Sequence, residues 1–444
     1  MGAEETCEVV IVGAGLVGLA TAIGLRKAGH KVIALDRAEA FSKISAGIAI
    51  PPNATRALAS FDVVDAVGEA AFQPTKLVVR SYHKGDVLTS QPYVPDLQDK
   101  YNAPYFSAHR ATFHNILLEK AVSLGITIKL NAIVTKIDFD TPAVYLENGD
   151  FYKGDLVLGA DGENSQCRNL LLGRSEPPIH AGDVIFAMDI KADLMWQHED
   201  LREFLDPPNV NMYFGPGTHI VVFALKEDGL VHIIGSRYDD PDNKVRARPQ
   251  PMDMAEIRTF LKDWDPRLRK IVDIAEEGLR WTLTKTSELR QRSHPNGTFA
   301  LIGDSAHSMS PFLAQGAAMG IEDAAVITAL FSKLSHKSQI PDFLSIYEQI
   351  RSPRAQELKR RSTDMRLVFA LHDGPQQQER DRQIREHKPF HGFPLPWMDP
   401  VFQDWLYSYD ANSEVEKAWE KYARGEWLGT RGTWKILGKN RNSS

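Results

Sequence analysis

The sequence predicts an α/β fold in three parts: a Rossmann-like domain of βαβ units with a parallel sheet, an inserted and mainly antiparallel β-sheet domain, and a helical C-terminal region. The parallel sheet is predicted by Val9-Val-Ile-Val12, a continuous apolar run typical of a strand buried on both faces, and by the glycine-rich turn after it. The antiparallel sheet is predicted by residues 180–290, where short β-forming runs alternate with Gly, Pro and Asp turns.

The individual elements follow from hydrophobic periodicity and from stop signals such as Gly29. The first domain is predicted to contain strands at 8–12, 31–35, 126–130, 133–139, 143–146 and 156–158, and helices at 19–28 and 111–125. Within the inserted domain, residues 253–280 are predicted to be helical. The strand at 299–302 returns to the first domain, and helices are predicted at 316–334 and 341–371.

Length and composition exclude several classes of protein. The 444 residues are enough for two or three domains, and the net charge of −6 gives no reason to expect nucleic acid or an anionic membrane as a partner. Two cysteines, Cys7 and Cys167, cannot build a disulfide framework, and no metal site is predicted. Because the sequence shows no leader and no apolar run of about 18 residues, a cytoplasmic protein is expected.

Gly13, Gly15 and Gly18 form a Gly-x-Gly-x-x-Gly pattern between the first strand and the first helix. In such a turn the first glycine permits a tight bend, the second lets the backbone approach a pyrophosphate, and the third allows close helix–sheet packing. Asp36 ends the second strand, where its carboxylate can accept hydrogen bonds from ribose hydroxyls, and Arg37 follows it. The pattern predicts a dinucleotide site, but it does not distinguish NAD from FAD.

Later segments make that distinction. They are Gly154-Asp-Leu-Val-Leu-Gly-Ala-Asp161-Gly162, Gly303-Asp304, and Pro311 followed by Gln315-Gly316-Ala317. With these motifs in this order, the chain resembles the class A FAD-dependent aromatic hydroxylases, the group of p-hydroxybenzoate, salicylate and 6-hydroxynicotinate hydroxylases, and above all the fungal salicylate-hydroxylase-like members. The resemblance covers residues 8–375. The sequence has no second Gly-x-Gly-x-x-Gly, which disfavours enzymes with separate FAD and NAD(P)H domains.

The resemblance implies further FAD contacts. Ala49 takes a position that contacts the cofactor, Arg110 one that reaches the ribityl and phosphate region, and Val134 one whose backbone meets the adenine. Asp161 is implied near the pyrophosphate and in the engagement of NAD(P)H.

Residues 299–323 form the most specific of the matching segments. Asp304 suits a ribityl hydroxyl, and Pro311 supplies rigid backbone beside the isoalloxazine. Gly316 and Ala317 open a helix whose N-terminal amides can stabilise the anionic reduced flavin by roughly 0.3–2 kcal/mol. His307, in the same segment, is expected to be structural.

The resemblance also implies the reaction and the division of the chain. NADH or NADPH would reduce FAD, and O2 would form a flavin C4a-hydroperoxide that hydroxylates a small phenolic or aromatic acid, with oxidative decarboxylation as a possible second outcome. Four parts are predicted: the first part of the FAD-binding domain at 1–180, the substrate-binding sheet domain at 181–290, the return of the FAD-binding domain at 291–335, and the helical region at 336–444. The expected partner is a small aromatic substrate, and the expected assembly is a monomer or homodimer.

His219 is the predicted base that helps to ionise a substrate phenol, and Tyr213 and Tyr238 are weaker catalytic candidates. His219 resembles the histidine of a His-x-x-x-Tyr pair found in hydroxylases of acidic aromatics, although Phe223 stands at the tyrosine position. A structural histidine is the alternative. Arg237 is interpreted as a surface ion pair, with a role as carboxylate anchor as the alternative.

Two other functions stay open. The dearomatising and epoxidising monooxygenases of fungal secondary metabolism carry an aromatic residue followed by arginine at the start of the inserted sheet. Phe186-Ala-Met188 lacks that arginine, which favours a phenolic acid over this alternative. The alternative from another class is a non-redox binding protein on the same fold, as in the GDP-dissociation inhibitors, and the intact Gly303-Asp304 segment argues against it.

Overall fold

The computed structural model of the chain describes residues 2–41, 47–226, 229–238 and 249–427. Its strands are, in chain order, β1 (Glu8–Val12), β2 (Lys31–Leu35), β3 (Gly47–Ile50), β4 (Lys76–Ser81), β5 (Val87–Pro92), β6 (Phe106–His109), β7 (Thr127–Lys129), β8 (Val134–Asp138), β9 (Ala143–Leu146), β10 (Phe151–Lys153), β11 (Leu156–Gly159), β12 (Ile179–Lys191), β13 (Val210–Gly215), β14 (Thr218–Leu225), β15 (Leu230–Tyr238), β16 (Gln250–Pro251), β17 (Leu279–Lys285) and β18 (Phe299–Leu301).

The helices connect and cover these strands. They are α1 (Leu16–Lys27), α2 (Pro52–Ala59), α3 (Val64–Ala70), α4 (Asp96–Tyr101), α5 (Arg110–Ser123), α6 (Gln166–Leu172), α7 (Ala192–Trp196), α8 (Met254–Phe260), α9 (Pro266–Ile274), α10 (Asp304–His307), α11 (Gly316–Phe331), α12 (Ile340–Phe369), α13 (Pro375–Glu386), α14 (Pro400–Tyr407) and α15 (Ala411–Ala423). In the predicted helical region at 336–444, residues 428–444 lie outside the described part.

Five parallel strands form the first sheet, in the order β18-β11-β1-β2-β7. Residues 9–12 of β1 pair with strands on both sides and are buried, which explains the continuous apolar run in the sequence. The carboxyl ends of β1, β2, β11 and β18 therefore meet at one edge of the sheet. This edge is where open parallel sheets bind their ligands.

The second sheet has eight strands in the order β16-β17-β12-β15-β14-β13-β4-β5. Neighbouring strands within this sheet are antiparallel, except for β13 and β4, which are parallel. β4 and β5 come from the range predicted as the first part of the FAD-binding domain, yet they extend this sheet. The four-part division of the chain stays a prediction, whereas the predicted fold class is confirmed.

The single helical stretch predicted at 253–280 is wrong in two respects. The chain breaks after α8, and the Asp265 side chain accepts a hydrogen bond from the Arg267 amide to start α9 with Pro266 at its first turn. Residues 279 and 280 belong to β17, which pairs with β12. No helix among the described residues has both the length and the apolar character required to span a bilayer.

A buried ion cluster joins α11 to α12. Glu322 and Asp323 on α11 and Arg351 on α12 are fully buried, and Arg354 is nearly so. The Arg351 guanidinium lies 2.6 Å from the Glu322 carboxylate and 2.7 Å from the Asp323 carboxylate, and Arg354 lies 2.8 Å from Glu322. Although burial opposes ionisation, the two arginines hold the pKa of Glu322 below its usual range.

The ion cluster predicts a large loss of stability when one partner is removed. Arg351→Met leaves two buried carboxylates short of their counter-charge, so we expect the free energy of unfolding to fall by about 3–5 kcal/mol. The matched control is Arg360→Met on the same helix, because Arg360 is exposed and its pairs with Glu357 and Asp364 should contribute less than about 1 kcal/mol. Urea unfolding followed by circular dichroism measures both values, and equal losses would contradict this role of the cluster.

Candidate functional site

One cavity of about 1200 Å³ opens between the carboxyl edge of the parallel sheet and the inner face of the eight-stranded sheet. We call its two ends the dinucleotide side and the sheet side. The dinucleotide side is lined by residues that include Gly13, Gly15, Asp36, Arg37, Ala49, Arg110, Val134, Asp161, Asp304, Gly316 and Ala317. The sheet side is lined by residues that include Leu77, Tyr93, Tyr105, Ile185, Val210, Met212, His219, Val221, Phe223, Ile234, Ser236, Pro311, Phe312 and Trp397.

The glycine turn is built by close contacts between backbones. Gly13 has φ +106°, and a Cβ there would lie 2.3 Å from the Ala160 carbonyl oxygen. A Cβ at Gly18 would lie 1.9 Å from the Gly13 carbonyl oxygen, so Gly18 supports the turn from behind and does not line the cavity. By contrast, a Cβ at Gly15 would meet no atom within 4 Å. The N-terminus of α1 is therefore open to a ligand at this point.

Asp36 and Arg37 lie beside this turn at the end of β2. The Asp36 carboxylate accepts hydrogen bonds from the amides of Ala14 and Ala38, at 2.8 and 2.9 Å. These bonds fix the carboxylate at the cavity wall, next to the glycine turn. Both residues line the cavity.

Asp161 follows β11 and caps α6. Its carboxylate accepts a hydrogen bond from the Ser165 hydroxyl at 2.5 Å and another from the Cys167 amide at 2.9 Å. Burial raises the pKa of Asp161, and these hydrogen bonds partly offset that increase. The side chain thus holds the start of α6, while the residue also lines the dinucleotide side.

Asp304 is held at the cavity by a turn that depends on α11. The Gly303 amide donates to the Asp323 carboxylate at 2.8 Å, and the His307 ring lies 2.5 Å from the same oxygen. His307 is buried and belongs to this support, as expected. The supporting role of Asp323 could not be predicted from the sequence, because it depends on contacts between α11 and residues 303 and 307.

Gly316 and Ala317 begin α11, whose first turn faces the cavity. A Cβ at Gly316 would meet no atom within 4 Å, which leaves space in front of the helix N-terminus. The side-chain amide of Asn53, on α2, donates hydrogen bonds to the side-chain oxygens of Gln315 at 2.9 Å and of Glu322 at 2.7 Å. These bonds let α2 fix the path of the chain into α11. Pro311 opens the short turn before it.

Ala49, Arg110 and Val134 reach the cavity from three separate elements. Ala49 lies on β3, which pairs with β6; Arg110 is the first residue of α5, directly after β6; and Val134 is the first residue of β8. All three line the dinucleotide side together with the glycine turn. The structure thus brings the predicted cofactor contacts together from distant parts of the sequence, except for Gly18, which supports the turn from behind, and Pro311, which lies on the sheet side.

His219 lies on β14 and lines the sheet side. Its Nδ1 lies 2.8 Å from the Ser236 hydroxyl oxygen on β15, and its ring lies between those of Phe312 and Phe369, each at a centroid distance of 5.4 Å. Burial lowers the pKa of His219 to about 4, so the imidazole is neutral at physiological pH.

The two tyrosine candidates are placed differently. Tyr213 faces the side of the sheet opposite to the cavity, because Met212 and Phe214 point the other way; its hydroxyl donates to Asp265 at 2.9 Å. The structure therefore does not bring Tyr213 to the site. Tyr238 lies on the same strand face as Ser236, with Arg366 over its ring at 4.4 Å, but it does not line the cavity.

Arg237 forms the expected ion pair, at 2.8 Å from Glu256. Three residues that line the sheet side were not predicted from the sequence: Ser236, Phe312 and Trp397. Ser236 could have been found only from the strand register that places it opposite His219, and Trp397 reaches the cavity from the C-terminal region.

Comparison with known proteins identifies the cofactor. A sequence profile of a family described as FAD binding domain matches residues 6–362. The chain belongs to this FAD-binding family. The FAD-dependent monooxygenase OpS4 of Beauveria bassiana (strain ARSEF 2860) is 32% identical over 422 residues, which cover 94% of this chain and 98% of that protein.

Two further comparisons agree with this membership. The 3-amino-4-hydroxybenzoate 2-monooxygenase PtmB3 of Streptomyces platensis is 30% identical, and the match covers 85% of this chain and 92% of that protein. A solved salicylate hydroxylase substrate complex has a TM-score of 0.76 at 20% identity, over 93% of this chain and 97% of that chain. The solved structure shows the shared fold. The family match and the two relatives confirm the predictions of an FAD-dependent monooxygenase from the aromatic hydroxylase family, and of FAD as its cofactor.

The residues of the dinucleotide side fit FAD. Open space lies in front of two helix N-termini, at Gly15 and Gly316, where backbone amides favour a pyrophosphate or an anionic ring. Asp36 and Asp304 supply carboxylates for hydroxyl groups at the same side. The role of each of these residues stays a prediction.

Two alanine substitutions should separate FAD binding from folding. Gly15→Ala has room for its methyl group in the free protein, but the methyl group would occupy the space of the pyrophosphate, so we expect FAD affinity to fall at least about tenfold with little change in unfolding free energy. Gly18→Ala forces a methyl group against the Gly13 carbonyl, so we expect loss of stability even without FAD. Titration of the apoprotein with FAD and urea unfolding measure the two effects. Unchanged FAD affinity in Gly15→Ala would contradict the predicted pyrophosphate contact.

Proposed function

We propose that this FAD-dependent monooxygenase hydroxylates a phenol that lies on the sheet side of the cavity with its ring oxygen toward His219. Bound FAD, reduced by NADH or NADPH, supplies the activation of O2. The observation that carries the proposal is the continuity of one cavity from the glycine turn to a buried, neutral histidine. We expect a monomer or homodimer in the cytoplasm.

The sheet side is suited to hold an aromatic ring and to exclude water. Val210, Met212, Val221 and Ile234 form an apolar wall of β-strand residues, and Phe312 closes it near Pro311. Exclusion of water protects reactive oxygen species bound in the cavity from premature decay. Among the polar residues that line this side, His219 is the one whose imidazole we propose to meet a ring hydroxyl.

The charges of the described lining favour phenols without an ionised carboxylate. Asp36, Arg37, Arg110, Asp161 and Asp304 all lie on the dinucleotide side, and His219 is uncharged at neutral pH. A carboxylate placed among apolar residues without a counter-charge is strongly disfavoured. We therefore propose uncharged phenols as the preferred subclass, with the phenolic acids predicted from the sequence, and their oxidative decarboxylation, as the second subclass.

A monooxygenase of fungal secondary metabolism is the second candidate function. The match to the FAD-dependent monooxygenase OpS4 of Beauveria bassiana, over 94% of this chain, supports the monooxygenase part of this candidate. The large apolar sheet side also has space for a substituted ring. The absence of an arginine in Phe186-Ala-Met188 argues against the dearomatising and epoxidising members, so we propose ring hydroxylation for this candidate as well.

The test is NAD(P)H oxidation by the FAD-loaded enzyme with pairs of phenols that differ only by a carboxylate. We expect stimulation of several-fold by at least one phenol, with a hydroxylated product, and stronger stimulation by the uncharged member of a pair. His219→Ala should lower hydroxylation at least about tenfold while FAD content is unchanged.

Tyr213→Phe is the matched control, because it removes a buried hydroxyl from the opposite face of the same sheet and should leave hydroxylation unchanged. If the enzyme prefers the phenolic acids, the proposed preference for uncharged phenols is wrong, but the proposed hydroxylation reaction still stands. If no phenol in a broad panel stimulates oxidation, the proposed reaction fails. A non-redox binding protein would bind FAD and show no NAD(P)H oxidation with any aromatic compound.

A further inference from the structure

Ser236 is placed to control the protonation of His219. The two residues are direct cross-strand neighbours on β14 and β15, and both line the cavity. The Ser236 hydroxyl oxygen lies 2.8 Å from Nδ1 of His219, a distance typical of a hydrogen bond. The Thr218 hydroxyl donates to the Ser236 carbonyl and so fixes the backbone of this strand pair.

The surroundings of His219 leave one ring nitrogen for a ligand. The rings of Phe312 and Phe369 flank the imidazole and offer no hydrogen bond. Nδ1 is occupied by Ser236, and the ring lines the cavity, so Nε2 is the nitrogen that a ligand can reach. A neutral imidazole has one donor and one acceptor nitrogen. The direction of the bond to Ser236 therefore decides whether Nε2 donates or accepts.

The chemistry of the pair sets that direction. An unprotonated imidazole nitrogen is a stronger hydrogen-bond acceptor than an aliphatic hydroxyl oxygen, and the Ser236 hydroxyl can rotate to donate to Nδ1. Tyr238 lies two residues after Ser236 on the same strand face, but its buried hydroxyl has no hydrogen-bond partner within the described structure. The favoured order is therefore Ser236 as donor and Nδ1 as acceptor.

No charged side chain of the described chain competes with this order at His219. Burial is the cause of the lowered pKa of His219. The charged groups near Tyr238 are Arg366, which stacks on its ring, and Asp183, which lies 2.7 Å from the Arg366 guanidinium. These two groups pair with each other, and neither of them lines the cavity.

We propose that Ser236 is a positioning residue that holds His219 as the tautomer with its proton on Nε2, so that the imidazole donates a hydrogen bond into the cavity. This inference rests on the proposed function for the identity of the acceptor, which is the ring oxygen of the substrate. A donor at this point favours the ionised phenolate over the phenol, and the phenol proton passes to solvent. His219 then acts as a hydrogen-bond donor to the phenolate, whereas the sequence predicts a base.

The first experiment reads the tautomer without substrate or turnover. Histidine labelled with 15N on the ring is incorporated into the FAD-loaded enzyme, and His219→Gln identifies the signals of His219 among those of the 14 histidines. We expect a protonated Nε2 and an unprotonated Nδ1. Ser236→Ala should give a mixture of tautomers, Ser236→Thr should restore the single form because it keeps the hydroxyl, and Tyr213→Phe should change nothing. A proton on Nδ1 in the unaltered enzyme overturns the proposal.

The second experiment measures the ionisation of a bound phenol from its absorbance as the pH is varied. We expect the pKa of the bound phenol to lie below that of the free phenol, and Ser236→Ala to raise it by about one unit, a tenfold change in the ionisation equilibrium. FAD content and circular dichroism show that each variant is folded. If Ser236→Ala leaves the bound phenol unaffected, Ser236 has only a structural role.

The two experiments separate this inference from the proposed function. A protonated Nε2 together with no stimulation by any phenol supports the tautomer and removes the proposed substrate class. A protonated Nδ1 together with efficient phenol hydroxylation supports the proposed function and refutes the role assigned to Ser236.

Discussion

The buried ion cluster of Glu322, Asp323, Arg351 and Arg354 is the interaction on which the geometry of the site depends. It lies inside the fold, and each carboxylate also binds a neighbouring segment: Asp323 accepts a hydrogen bond from the Gly303 amide, and Glu322 accepts one from Asn53. Charges buried without counter-charges would be strongly destabilising, so these groups fix one arrangement of α10, α11 and α12. The carboxylate of Asp304 and the N-terminus of α11 are consequently set by packing behind the cavity. If both contact FAD as predicted, the cofactor would meet them already in place.

The sheet side depends on a different constraint, the alternation of side chains along β-strands. His219, Val221 and Phe223 point into the cavity from β14, and Met212 and Phe214 point the same way from β13. Tyr213 must then face the opposite core, where Asp265 accepts its hydroxyl. One polar pair, His219 and Ser236, is thus surrounded by apolar residues, and its hydrogen bonds are strengthened by the low local dielectric.

The sequence was informative wherever a function is carried by a short segment. The glycine turn, Asp36 and the segment around Asp304 could be located because backbone requirements and neighbouring residues reveal them. Ser236, Trp397 and Arg351 could not be located in this way, because their roles depend on strand register or on contacts between distant helices. The error at Tyr213 has the same origin: its strand was predicted, but which face lines the cavity depends on the packing of the whole sheet. The break between α8 and α9 was missed although Asp265-Pro266 is a common helix start.

The parallel pairing of β13 with β4 has a consequence for the evolution and redesign of this fold. Leu77 on β4 and Val210 on β13 stand side by side in the wall that we propose receives the aromatic ring, although more than a hundred positions of chain separate them. An exchange of specificity between relatives therefore cannot be made by transplanting one contiguous block. A chimera that carries the later strands without residues 76–92 would join two half-walls that were never selected to match.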